Sequence, residues 1–129
     1  MRKIAAVVIV IAVVAAGCRN EPPGPTLVGG REPDYWLHRL EDRDASNRRE
    51  AIRKLGNAGN LASKTRPALS RMLRDRDPLV RRETIYALHK LSNLSAEESA
   101  ELESMRTRDP DHAVRDAAVK ALAQSPRIE

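Results

Sequence analysis

Between Ser63 and Leu91 (SKTRPALSRMLRDRDPLVRRETIYALHKL) apolar residues recur three and four positions apart, with charged residues filling the gaps. That period lays one apolar stripe along a helix, and so it predicts two amphipathic helices; strands alternate every second residue. The corner between them is Asp75-Arg76-Asp77-Pro78. Asp77 suits the free amides at a helix start, and Pro78 fits the first helical position, where a missing amide costs nothing. Ile85, Leu88 and Leu91 make the apolar stripe of the second helix, and Leu69, Met72 and Leu73 that of the first. Pro67 is tolerated only in a first turn, which predicts a start near Thr65.

The same corner and second helix occur three times. DASNRREAIRKL from Asp44, DPLVRRETIYAL from Asp77 and DHAVRDAAVKAL from Asp111 align at spacings of 33 and 34 residues. Each opens on Asp and carries Arg four residues on (Arg48, Arg81, Arg115). Each then has a small residue (Ala51, Thr84, Ala118), an apolar one (Ile52, Ile85, Val119) and a closing Leu (Leu55, Leu88, Leu122). A first helix precedes each one. The first carries Trp36, Leu37 and Leu40; the third carries Ala100, Leu102 and Met105 and starts at a capping box, Ser95 to Glu98. The third corner offers two caps, Asp109 followed by Pro110, or Asp111. Gly56, Asn57, Gly59 and Asn60 break the chain between the first two pairs. Matching positions at one period predict an all-α stack of three helix pairs, at about 33–58, 63–92 and 95–124, within a domain spanning 33–125.

Composition agrees. Of 129 residues 32% are charged and 2% aromatic, with no Phe, so the core is built from Leu, Ile, Val, Ala and Met. The formal charge of +5 includes Arg2 and Lys3; beyond the first 17 residues it is about +3, too mild to argue for nucleic acid. Charge is uneven: residues 31–94 hold 15 basic and 9 acidic groups, and 95–129 hold 5 and 8. The acidic run Glu97, Glu98, Glu101 and Glu103 suits the N-terminal end of its helix. The same asymmetry would also orient a partner or align copies head to tail.

The start of the chain is of another kind. Met1-Arg2-Lys3 is basic, Ile4 to Ala16 is uncharged and apolar, and Gly17-Cys18 closes the run. It is too short to span a bilayer and has the layout of a secretory signal. Ala15-Ala16-Gly17-Cys18 resembles the lipobox of bacterial lipoproteins, with Ala15 where Leu is usual. The resemblance implies removal of residues 1–17, acylation of Cys18 and stable anchoring by more than one acyl chain. Arg19, not Asp, follows the cysteine, which in a bacterium with two membranes implies the outer one. Residues 18–32, rich in Pro and Gly, are expected to be a tether without a fold.

The repeated segments resemble HEAT repeats, in particular a short bacterial form with the pattern D-x-D-P-x-V-R-x-x-A-x-x-A-L. Asp75 to Leu88 carries it with Thr84 in place of the first Ala; Asp109 to Leu122 carries it too. The first copy departs from it at Asn47, where Val is expected, and has no Pro at its corner. The resemblance implies a short α-solenoid and a role in protein–protein interaction. It also implies a structural role for the repeat residues Asp44, Arg48, Asp77, Arg81, Asp111 and Arg115, the arginines bonding the corner Asp or carbonyls of the adjacent repeat.

Contact residues are expected elsewhere. Arg49, Arg82 and Asp116 align, as do Arg53, Tyr86 and Lys120, on the side of the second helix opposite the apolar stripe. Stacking brings them into a ladder on the inner side of a solenoid, a binding surface in such folds; the same residues also suit a merely solvated face. No chemistry is visible. His38, His89 and His112 share no ligand spacing, the serines Ser70, Ser92 and Ser95 lack a glycine-framed elbow, and no phosphate loop appears. The expectation is a non-catalytic, lipid-anchored scaffold at the cell envelope, without cofactor or metal, whose partners are a protein and the bilayer and not nucleic acid. The alternatives are a lyase-type chain or accessory subunit of an enzyme complex, since bilin lyases carry similar short repeats, and a binder of an anionic envelope polymer or lipid.

Overall fold

The computed structural model describes residues 26–125. The expected signal at 1–17 and the lipidation candidate Cys18 lie outside the described residues. Six helices follow one another: α1 (Pro33–Arg39), α2 (Ala45–Leu55), α3 (Ala62–Arg71), α4 (Pro78–Leu91), α5 (Ala96–Arg108) and α6 (His112–Gln124). They form three antiparallel pairs stacked in chain order, a short helical solenoid. The second helices make the continuous layer, α2 on α4 and α4 on α6, while α1 packs on α2, α3 on α4 and α5 on α6.

Each second helix begins where an aspartate meets free amides. Asp44 accepts from the Ser46 amide at 2.8 Å, Asp77 from Leu79 at 2.8 Å and Val80 at 3.1 Å, and Asp111 from Val114 at 3.0 Å. At the third corner the cap is therefore Asp111, which leaves Asp109 for another task. Ser95 and Glu98 form the reciprocal capping box of α5.

The core is aliphatic. Ile52, Leu55, Leu69, Ile85, Leu88 and Leu102 are fully enclosed, each worth about 1.5–3 kcal/mol of burial. Small residues set the spacing of the layer: a Cβ on Gly56 would lie 2.8 Å from Ala87 Cβ and 3.1 Å from its Cα. Gly56 has an ordinary helical φ of −64°, so its role is close approach of α2 to α4 and not a special turn.

Two local features differ from the sequence expectation. Helix α3 begins at Ala62, so Pro67 lies inside it. The amide that Pro67 lacks would have served the carbonyl of Ser63, and both residues are exposed, so the missing hydrogen bond falls on the surface side of the helix and not in the core. The stretch expected to be a tether without a fold also holds local structure at its described end. Val28 and Arg31 exchange backbone hydrogen bonds around Gly29 and Gly30 (φ 54° and 78°), Val28 is buried, and its carbonyl accepts from Trp36 Nε1 at 2.6 Å. The indole needs an acceptor when buried, and this turn supplies it.

Candidate functional site

The repeated arginines join unit to unit. Arg48 donates through Nε and one terminal nitrogen to both oxygens of Asp75 in the next unit, each at 2.8 Å, and its other nitrogen donates to the carbonyls of Asp42 and Arg43 at its own corner. Arg81 repeats this one unit later, on both oxygens of Asp109 at 2.8 Å and on the carbonyls of Asp75 and Arg76. The planar guanidinium fits this arrangement because one edge matches a carboxylate while the far nitrogen reaches a carbonyl. Hydrogen bonding to Asp75 and to Asp109 raises the pKa of Arg48 and Arg81 respectively. Burial pushes Asp109 up, but Arg81 and the Asp111 amide outweigh it and hold its carboxyl below the ordinary aspartate value. Among the described residues Arg115 donates only to the carbonyls of Asp109 and Pro110 at its own corner.

These contacts use the arginines for stacking, so the residues expected to make contacts lie elsewhere on α2, α4 and α6. Because α2 packs on α4 and α4 on α6, Arg49 and Arg53, Arg82 and Tyr86, and Asp116 and Lys120 occupy equivalent positions on adjacent helices. Tyr86 is 48% exposed. Arg53 is paired with Glu83 at 3.9 Å, and Asp116 with His112 at 3.2 Å, so the ladder is a mixed surface and not a basic stripe. Arg49 is half-buried, with Nε enclosed.

A model of the family of HEAT repeats matches residues 33–123. The chain belongs to the HEAT-repeat family. No curated protein and no solved structure gives a significant match to it.

Within this HEAT domain, two features escaped the repeat pattern. Leu79, 42% exposed, lies one face with Glu83, Tyr86 and Lys90 at spacings of four, three and four, so the centre of the outward surface is apolar as well as aromatic. Its signal was an apolar residue seven before Tyr86, off the buried stripe. The other is Glu98. Besides capping α5, it accepts from Arg66 Nε at 2.9 Å and from Ser70 Oγ at 2.6 Å, and Arg66 reaches on to Ser92 Oγ and the Asn93 carbonyl. Burial pushes the Glu98 carboxyl up, and these donors together bring it below the usual glutamate value. This network ties α3 to α5 across a cleft of about 510 Å³ that also contains Pro67, Leu73 and Arg71. Within the cleft Arg66 pairs with Glu98 and Arg74 with Glu101, which joins its two walls across a seam between units. Among the described residues no group of three or more His, Cys, Asp and Glu is placed to hold a metal ion, and no helix is long and apolar enough to cross a membrane.

Proposed function

We propose that this HEAT domain is a protein-binding module tethered to a membrane through a lipid on Cys18, and that the outward face of α2, α4 and α6 is its contact surface. HEAT repeats generally mediate protein–protein interaction and are typically non-catalytic. The observation that carries the choice of face is Leu79 and Tyr86, two large side chains left 42% and 48% exposed on a helix whose other large apolar residues are buried or half-buried. An aromatic and a leucine framed by Arg49, Arg53 and Arg82 have the composition of an interface centre, where a few aromatic and arginine anchors dominate binding. Glu83 and Asp116 within the same face disfavour a polyanion as the partner and suit a protein of mixed charge.

Crosslinking in cells that make the protein, with the captured partner identified by mass, tests the contact. Arg82→Glu combined with Tyr86→Ala is expected to abolish capture while the purified variant keeps the parental melting temperature. Undiminished capture sinks the assignment of this face. For the tether, Cys18→Ser is expected to move the protein out of the membrane fraction or to leave it uncleaved. A variant that fractionates and migrates like the parent removes the lipid anchor from the reading.

A further inference from the structure

We infer that the edge of α6, left exposed among the described residues, is a second docking surface, which accepts a helical hairpin of a partner protein with an aspartate at its bend. The inference rests on comparing three equivalent edges within one chain, two of them occupied.

On the edge of α2 that receives the second unit, Ile52 and Leu55 are fully buried and the Arg48 fork is closed on Asp75. On the edge of α4 that receives the third unit, Ile85 and Leu88 are fully buried and the Arg81 fork is closed on Asp109. On α6 the equivalent residues are Val119, 48% exposed, Leu122, half-buried, and Arg115. Among the described residues Arg115 meets no carboxylate; one nitrogen is held at 2.7 Å by the Asp109 carbonyl, which aligns the side chain as in the two closed forks. The edge thus presents an apolar stripe beside an aligned guanidinium, continuous with the two filled interfaces.

Those filled interfaces define what fits. In both, the incoming unit brings an Asp two residues before its helix cap, and a helix side of small residues: Thr84 and Ala87 in α4, Ala117, Ala118 and Ala121 in α6. A second copy of this chain does not offer that side. Where the later units have Val80 and Val114, its first unit has Asn47, bonded to Arg39; where they have Ala87 and Ala121, it has Lys54. The Val28–Arg31 turn also lies on Lys54, since a Cβ on Gly29 would meet Lys54 Cδ at 2.6 Å. Burying that charged, covered side on Val119 would desolvate Lys54 without an acid partner. A second copy is thus a poor occupant, and the one we propose is a hairpin from a different protein.

The probe is a synthetic peptide copying Leu94–Ser125, the hairpin that fills the α4 edge, with Val119→Asp so that it cannot stack on itself. It is titrated onto the isotope-labelled full chain in detergent micelles, and the methyl groups of Val119 and Leu122 and the Nε–H of Arg115 are followed by NMR. Saturable shifts at these three residues are expected. Val119→Asp or Arg115→Glu in the full chain is expected to weaken binding at least about tenfold, and a peptide with Asp109→Arg to regain affinity for the Arg115→Glu chain alone. Joining the same hairpin to the chain through a flexible Gly/Ser linker gives an effective concentration in roughly the millimolar range, so a peptide too weakly folded to bind free still registers. Unmoved Val119 methyls in that fusion overturn the inference. So do shifts that persist in the Val119→Asp chain, and so does self-association of the full chain through Val119 without any probe. The second-helix face is unaffected by any of these results.

Discussion

Removing the carboxylate of Asp109 tests the stacking logic at its strongest point. Asp109→Ala deletes two charge-assisted hydrogen bonds from Arg81, both at 2.8 Å, and the turn bond to the Asp111 amide at 2.9 Å. It also leaves a guanidinium that is 11% exposed without its counter-ion. Breaking one side of a buried pair costs about 3–5 kcal/mol. Arg81 keeps its bonds to the Asp75 and Arg76 carbonyls, so the lower end, about 3 kcal/mol, is expected, against a total stability of roughly 5–15 kcal/mol for a domain. For a domain of this size that lowers the melting midpoint by roughly 12–24 °C. Asp42→Ala is the internal control. Asp42 makes the same turn bond, to the Asp44 amide at 2.9 Å, but it faces no arginine from a preceding unit among the described residues. Circular-dichroism melts of both variants separate turn from ion pair. If Asp109→Ala melts within about 5 °C of the parent, or no lower than Asp42→Ala, then the forks do not hold the units together and the reasoning fails.

Acid should loosen the same ties. Glu98 and Asp109 sit below their ordinary values of 4.5 and 3.8 in the folded chain, so as pH falls past those values the unfolded chain binds more protons and stability is lost. Melting midpoints that are level near neutrality and fall below about pH 4.5 are expected, with a shallower fall in Glu98→Gln; a flat profile refutes the pairing. At the α2–α4 contact, Gly56→Ala puts a methyl 2.8 Å from Ala87 Cβ and should cost about 1–3 kcal/mol. Denaturation of Gly56→Ala, Ala87→Gly and the double variant should show the double less destabilised than the sum of the singles, whereas additivity would mean that the two residues do not meet.

The helical pairs were legible because their signals are local. An Asp at a helix start, a Pro behind it and apolar residues every third and fourth position act within one turn, and three copies at one period leave little room for another fold. Pro67 misled because the rule against it concerns a buried hydrogen bond, and whether Ser63 is buried depends on neighbours far along the chain. Val28 was hidden for a similar reason: nothing in a Pro- and Gly-rich stretch reports that an indole eight residues on lacks an acceptor.

The sequence by itself determined the number of helices, their pairing and the apolar stripe of each, since these follow from periodicity and capping. It also marked Arg49, Arg53, Arg82, Tyr86, Asp116 and Lys120 as one outward register. Only the tertiary structure decided what the charges are for. Arg48 reaches an aspartate 27 residues away and Glu98 gathers donors from α3, and such partnerships depend on which helices lie side by side. The contrast between Ile85 and Val119 makes the same point. They occupy the same place in the repeat, and one is buried while the other is exposed, because burial belongs to the stack and not to the residue.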